Sequence, residues 1–197
     1  MMEKSIRTTL KNKVTASRLL LEKSVIDRLQ GYYGIHQSGL IEDSKFLSHL
    51  TSEDQEYRSQ LLISLDHIQA SGLKMNDALE QLIREVAFTH LNRLCAYKLM
   101  EARGLIRESV SRGVKSQGFL FYLADHPEDE ALANAGDTEK AYRHFLRWLS
   151  GTLSEELGAL FAPDDPADRL YPPLRVLDQV LELLNAEELK AIWTEDE

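Results

Sequence analysis

Residues 76–103 read NDALEQLIREVAFTHLNRLCAYKLMEAR, and this stretch decides the fold. Its apolar residues recur three or four positions apart, which is the period of an α-helix that buries one face. The pattern predicts one long helix with Asn76 as its N-cap and Gly104 as its C-terminal stop. Because the apolar face is wider than a surface helix needs, we expect this helix at the centre of the domain, with Leu94 in the core.

Helical periodicity continues on both sides of this stretch. Further helical segments are predicted over about 5–30, 51–72, 138–161 and 173–193, the last in two short pieces. Thr51 and Asp137 are the expected N-caps, because their side-chain oxygens can accept from the free N–H groups of a first turn. The segment from residue 138 is expected to bend near Gly151. Residues 118–124, GFLFYLA, fit either a strand or a buried helical turn, since so short a run does not separate the two.

Prolines mark the passage to the C-terminal helices. Four of them lie within 163–173, and each ring fixes φ and removes a backbone donor, which predicts an ordered, non-helical connector. The predicted fold class is therefore all-α: a multi-helix orthogonal bundle with a long central helix and a proline-rich connector before the C-terminal helices. We expect residues 1–162 to form a helical N-terminal domain, and 163–197 to form the connector and the C-terminal helices.

Composition excludes several classes of protein. The chain has 197 residues, of which 43% are hydrophobic and 28% charged, which is ordinary for a globular protein with a core. No apolar run reaches the roughly 20 residues that a membrane span needs, and no apolar signal segment follows the first charges. The single cysteine cannot form an internal disulfide. We expect a cytoplasmic protein with no membrane partner.

No pattern of catalytic or metal-binding residues stands out. The six histidines and the cysteine lack the spacing of a metal site, so we predict no metal. His90 is expected to be a satisfied core histidine, and Cys95 a small apolar residue of the long helix. Residues 171–174, YPPL, share only two prolines with the Asn-Pro-Pro-Tyr type of base-binding motif, and we expect them to form a rigid turn into a helix.

Basic residues over 84–115 are the strongest candidate for a binding surface. They are Arg84, Arg93, Lys98, Arg103, Arg107, Arg112 and Lys115. One interpretation is a phosphate-contacting patch in which an exposed loop, 111–118, reaches a DNA backbone. The other is a solvated face with internal ion pairs, such as Arg93 or Arg103 with Glu101. The candidate DNA contacts on this patch are Arg107, Arg112, Lys115 and Gln117.

The first predicted helix carries a second basic group. Four of its side chains lie three, four and seven positions apart and so share one side of the helix: Lys4, Arg7, Lys11 and Arg18. This stripe either contacts DNA or a partner, or is simply solvated. Residues 1–30 hold seven Lys or Arg against three Asp or Glu, whereas 151–197 hold three against twelve. This asymmetry argues against one continuous nucleic-acid surface, so any DNA contact is expected to be local.

Longer blocks of the sequence resemble one known family. They are EVAFT at 85–89, NRLCA at 92–96, LMEARGL at 99–105, SRG at 111–113, SQGFL at 116–120, FAPDDPADRLYPPL at 161–174 and WTEDE at 193–197. Together these blocks resemble the N-terminal region of the large adenine-specific DNA methyltransferases of bacterial phage-defence systems, the PglX type of BREX and its DISARM relatives. The similarity is concentrated in 85–123 and 161–197, and it is patchy over 1–75.

The resemblance implies that the chain is part of a larger, restriction-modification-like enzyme. In that family a catalytic part follows this region and transfers a methyl group from S-adenosylmethionine to adenine N6 at a specific DNA site, which marks self DNA. The glycine-rich cofactor turn and the Asn-Pro-Pro-Tyr-type motif are absent here, so this chain alone is expected to bind no cofactor and to be inactive. The resemblance then implies a DNA-positioning scaffold, or a docking surface for other defence-system proteins.

A hypothesis of a different class also fits the sequence. The chain could be a self-standing helical protein–protein interaction module that docks through its acidic C-terminal half and does not bind DNA. The two hypotheses differ in whether the chain has a salt-dependent affinity for DNA.

Overall fold

The computed structural model describes residues 4–162 and 165–194, with the side chain of Lys4 outside the described part. These residues are 72% helical and form no β-strand, which confirms the all-α prediction. The α-helices are α1 Lys4–Gly31, α2 Ser52–Gln69, α3 Met75–Ala102, α4 Gln117–Asp125, α5 Pro127–Asn134, α6 Thr138–Leu153, α7 Pro166–Arg169, α8 Leu174–Leu184 and α9 Lys190–Thr194. Short 3-10 helices cover Ser44–Phe46, Gly113–Lys115 and Glu187–Leu189.

The described residues fall into two compact units. The first combines 4–20, 91–162 and 173–194, and the second combines 21–90 and 165–172. The predicted boundary between a helical domain at 1–162 and the connector with the C-terminal helices at 163–197 stays a prediction.

The second unit has its own apolar core. Residues from α1, α2, α3 and α7 meet there, including Leu29, Leu61, Leu65, Leu82 and Leu170, all almost fully buried. In the first unit many of the buried side chains belong to α3, α4, α6, α8 and α9, among them Leu94, Tyr97, Phe119, Tyr142 and Phe145. The prediction that Leu94 is a core residue is therefore confirmed.

Two predicted N-caps are confirmed in detail. The Thr51 side chain accepts from the backbone N–H of Asp54, and the Asp54 carboxylate accepts in return from the N–H of Thr51, which is a complete capping box. The Asp137 side chain accepts from the N–H of Lys140 at the start of α6. These local side-chain bonds are short in range, which is why the sequence reveals them.

The long helix α3 ends as predicted but begins differently. Gly104 has φ +68°, and its N–H and that of Leu105 bond the carbonyls of Glu101 and Met100, which is a Schellman end. Asn76 is not the N-cap. The N–H of Ala78 donates to the carbonyl of Lys74. The helix therefore begins at Met75, and Asn76 lies in its first turn.

Three other segments differ from the sequence expectations or resolve them. Residues 118–124 form a helix, α4, and not a strand. Helix α6 ends at Leu153 instead of near residue 161. At Leu153 the adjacent Ser154 hydroxyl donates to the carbonyl of Gly151 and competes with a further helical bond. The connector includes a single helical turn, α7, because Pro166 at its first position and the Asp165 cap favour a helix start.

Candidate functional site

A cavity of about 320 Å³ lies in the first unit, lined by residues of α4, α6 and the segment that precedes α4. Aromatic side chains dominate its wall: Phe121, Tyr122, Phe145 and Trp148, together with the imidazole of His126. Phe121 and Trp148 are 54% and 47% exposed, so both rings are open to a ligand. The size is at the lower end of the range typical of small-molecule sites.

The buried part of this aromatic wall is rigidly packed. The rings of Tyr122 and His126 are stacked with centroids 3.9 Å apart, and the Tyr122 and Trp148 centroids are 5.4 Å apart. Phe145 lies 5.3 Å from Tyr122 and 6.3 Å from Trp148. Such ring pairs fix one another's orientation, so the cavity is preformed.

Hydrogen bonds to Asp129 hold the floor of the cavity in place. The Tyr122 hydroxyl donates to one oxygen of the buried Asp129 carboxylate at 2.5 Å, and Nδ1 of His144 lies 2.6 Å from the other. Burial alone would raise the pKa of Asp129, but the bonds from Tyr122 and His144 outweigh it and hold that pKa below its ordinary value. Burial and the same carboxylate raise the pKa of Tyr122, so the hydroxyl remains a donor. The network ties α4 and α6 to α5.

Polar groups line the edge of the cavity. The guanidinium of Arg107 lies 4.1 Å from the centroid of the Phe121 ring, a cation–π contact, and Arg107 is exposed. Asp125 is exposed and supplies a carboxylate. Nδ1 of His126 lies 2.8 Å from the carbonyl oxygen of Tyr122, which can only accept, so Nδ1 carries the proton and Nε2 of the neutral ring is an acceptor. The edge therefore offers one cationic donor and two acceptors.

The backbone of the loop that was expected to be exposed is held in place by internal bonds. The Glu101 carboxylate accepts from the backbone N–H groups of Ser109, Val110 and Ser111 at 2.8, 2.9 and 3.3 Å. The N–H of Gly118 bonds the carbonyl of Glu108 at 2.7 Å. We call residues 108–118 the tethered loop. Arg112, Lys115 and Gln117 are exposed in this loop, whereas Gly113, Ser116 and Gly118 are buried, so the expectation of an exposed loop holds for the polar side chains. The backbone bonds were not predicted, because the sequence pattern does not reveal which carboxylate accepts from them.

Arg112 forms an ion pair with Glu108 within this loop. Its Nε and Nη2 donate to the Glu108 carboxylate at 2.9 and 2.8 Å, and the N–H of Gln117 donates to the same carboxylate. These bonds, with Arg112 contributing most, hold the pKa of Glu108 below its ordinary value. Lys115 and the side chain of Gln117 are exposed. DNA contact by Arg107, Arg112, Lys115 and Gln117 stays a prediction.

The basic stripe of α1 lies in the same unit. Arg7, Lys11 and Arg18 are exposed, and we call these three residues the α1 basic stripe. Lys4, the fourth predicted member, has its side chain outside the described residues. DNA contact by the stripe also stays a prediction.

Other charged residues of the basic cluster have structural roles. Arg93 is 4% exposed and donates to the carbonyl oxygens of Leu160 and Ala162. Lys98 donates to Ser111 Oγ at 2.6 Å and to the Asn185 side chain, and burial lowers the pKa of Lys98. These hydrogen bonds connect α3 to segments of the first unit that are distant in sequence.

The two reactive residue types of α3 behave as predicted. His90 is 3% exposed, and its Nε2 lies 3.2 Å from the carbonyl oxygen of Leu170. Burial raises the pKa of the Cys95 thiol to about 11, so the thiolate is scarce at neutral pH. Neither residue is suited to nucleophilic chemistry.

The described residues show no group of metal ligands and no helix that could span a membrane. In 4–162 and 165–194, no three His, Cys, Asp or Glu side chains are grouped as metal ligands. None of the helices in this part of the chain is both long and apolar enough to cross a bilayer.

The cavity residues were missed by sequence reasoning. Their signal was present in the helical spacing of the aromatic residues, Tyr122 with His126 at four positions and Phe145 with Trp148 at three. In sequence, such residues are indistinguishable from ordinary core positions. Only the exposure of Phe121 and Trp148 separates a cavity wall from a core.

Comparison of the chain with protein-family models, curated proteins and solved structures gives no match.

Proposed function

We propose that this chain is the non-catalytic, helical N-terminal module of an adenine-specific (N6) DNA methyltransferase of a bacterial phage-defence system, and that it helps to position DNA. The observation that carries the DNA role is the α1 basic stripe, whose three side chains are exposed along one side of one helix. Phosphate oxygens are the natural partners of such a row, because Lys and Arg release condensed counterions when they neutralise phosphates. The cytoplasm, where DNA and the other defence proteins are found, is the location this role requires.

Two further features support the proposal. Arg107 and Lys115 are exposed in the same unit as the stripe, so the unit carries cations on more than one element. The blocks that resemble the methyltransferase family include α3 and the tethered loop. In this proposal the chain contributes binding, and the methyl donor is bound by the catalytic part of the parent enzyme.

The test is a charge-matched comparison on duplex DNA. The variant R7A/K11A/R18A removes the α1 basic stripe, and K23A/K45A/K74A removes the same charge from exposed positions in the second unit. We expect the stripe variant to lower the slope of log affinity against log salt by about two to three, as the loss of three phosphate contacts predicts. We expect the control variant to bind as the unchanged chain does.

Two results would overturn the proposal. Equal salt slopes for the two triple variants would remove the stripe from any DNA interface. Binding of labelled S-adenosylmethionine by this chain alone would contradict a non-catalytic role.

A second candidate function is a protein–protein interaction module. It is favoured by the exposed carboxylates at the C-terminal end of the first unit, on Glu182, Glu187 and Glu188. This candidate predicts a stable complex with a basic partner protein and no salt-dependent affinity for DNA. The duplex titration therefore separates the two functions.

A further inference from the structure

We infer that the aromatic cavity of the first unit binds an unpaired nucleobase of single-stranded nucleic acid. The inference deepens the proposed DNA-positioning role and rests on it, because it names the form of nucleic acid that the unit would hold. It concerns a different set of residues from the α1 basic stripe, so the two can be tested separately.

The shape and chemistry of the wall support a planar heteroaromatic ligand. Phe121 and Trp148 line the cavity and are each about half exposed, at 54% and 47%. Two large exposed rings on the wall of an aromatic cavity offer an apolar surface on which a planar ligand can stack. Every nucleobase has a π-face, so stacking of this kind tolerates any base sequence.

The edge of the cavity matches the polar perimeter of a base and its phosphate. The Asp125 carboxylate and Nε2 of His126 are acceptors, which suits the exocyclic amino or ring N–H groups of a base. Arg107, held over Phe121, places a cation beside the stacking surface, where the phosphate of the same nucleotide would lie. An apolar peptide side chain would fill the cavity but leave these three polar groups without a matching partner.

The two tryptophans of the chain provide a built-in probe. Trp148 lines the cavity, whereas Trp193 is 8% exposed and donates from Nε1 to the carbonyl of Leu184 at 3.0 Å. A base that stacks in the cavity should quench the fluorescence of Trp148 and leave that of Trp193 unchanged. The variant W148F should therefore lose the quenching and keep the Trp193 emission.

The experiment titrates the full chain with an oligothymidine of about twelve nucleotides, a length within the range that one single-strand site covers. An abasic strand of the same length carries the same phosphates but no bases, and it separates stacking from charge. We expect Trp148 quenching by oligothymidine and affinity for the abasic strand that is weaker by about tenfold or more.

Variants locate the site. F121A should weaken oligothymidine binding by about tenfold, whereas F88A should leave it unchanged. Phe88 is the matched control because it is 59% exposed, belongs to the second unit and does not line the cavity. R107Q should lower the salt slope of oligothymidine binding by about one.

The outcomes distinguish this inference from the proposed function. Equal affinity for the abasic strand and oligothymidine, or equal effects of F121A and F88A, would overturn the base-binding inference. Duplex binding that F121A leaves unchanged, without Trp148 quenching by oligothymidine, would overturn it while the DNA-positioning role stands. No binding of any strand would overturn both, and quenching by an apolar peptide alone would assign the cavity to a protein partner.

Discussion

The tethered loop and the α1 basic stripe both carry basic residues, but these residues differ in the bonds that they make. In the loop, Arg112 is bonded to Glu108, and the backbone is bonded to Glu101 and to Glu108. Along the stripe, Arg7 and Lys11 are exposed on the surface of a helix whose backbone bonds are satisfied internally. The charge of Arg112 is therefore paired inside the loop, whereas the charges of Arg7 and Lys11 lie at the exposed surface of α1.

The largest effect is expected from removing the acceptor that holds the loop. E101A would leave the N–H groups of Ser109, Val110 and Ser111 without their carboxylate, and the first two residues are buried. Since each buried unsatisfied donor costs about 1–3 kcal/mol, we expect the free energy of unfolding to fall by about 3–5 kcal/mol. Urea denaturation measures this change. K11A on the stripe is the contrast, with an expected change within about 0.5 kcal/mol.

A loss below about 1 kcal/mol for E101A would mean that the loop is not held by this carboxylate. The tethered loop would then not differ from the α1 basic stripe in being held by an internal carboxylate.

The next effect comes from the close backbone approach at Gly118. A Cβ there would lie 2.7 Å from the carbonyl oxygen of Glu108 and 3.0 Å from Ser109 Oγ, and the backbone cannot yield cheaply. We expect G118A to lower the free energy of unfolding by about 1–3 kcal/mol. G151A is the matched control, because a Cβ on Gly151 in α6 meets nothing within 4 Å and should stabilise the chain by about 0.5–1 kcal/mol. Effects of the same sign at both glycines would contradict the close approach.

A third effect appears in the pH dependence of stability. The pKa of Glu108 is lowered in the folded chain, chiefly by Arg112, so its stabilising contribution is present above the unfolded pKa and is lost as the pH falls through the folded value. E108Q should therefore destabilise the chain by about 1 kcal/mol at pH 7. The difference should shrink as the pH falls through the folded pKa of Glu108, because the wild-type carboxyl then becomes protonated as well. Urea midpoints measured over a series of falling pH values check this, and a difference that does not change with pH would assign the effect to packing.

The sequence predicted what depends on neighbouring residues and missed what depends on distant ones. The Thr51 and Asp137 caps and the Gly104 helix end follow from side chains within one turn of the bonds they make. The tethered loop depends on Glu101, which lies in the preceding helix, and the cavity floor depends on Asp129 and His144, which lie on different helices. No spacing rule selects these carboxylates from the other acids of the chain.

The smallest effect tests whether the two basic regions differ in ligand binding as they do in structure. K115A removes an exposed cation of the tethered loop, and R112A/K115A removes in addition a guanidinium that is bonded to Glu108. If Arg112 is committed to Glu108, both variants should lower the salt slope of duplex binding by about one, against two to three for the α1 basic stripe. Salt titrations of the single and double variants make the comparison. A slope change near two for the double variant and one for the single would mean that Arg112 leaves Glu108 to bind phosphate, because a contact present only in the complex would then outweigh the internal pair.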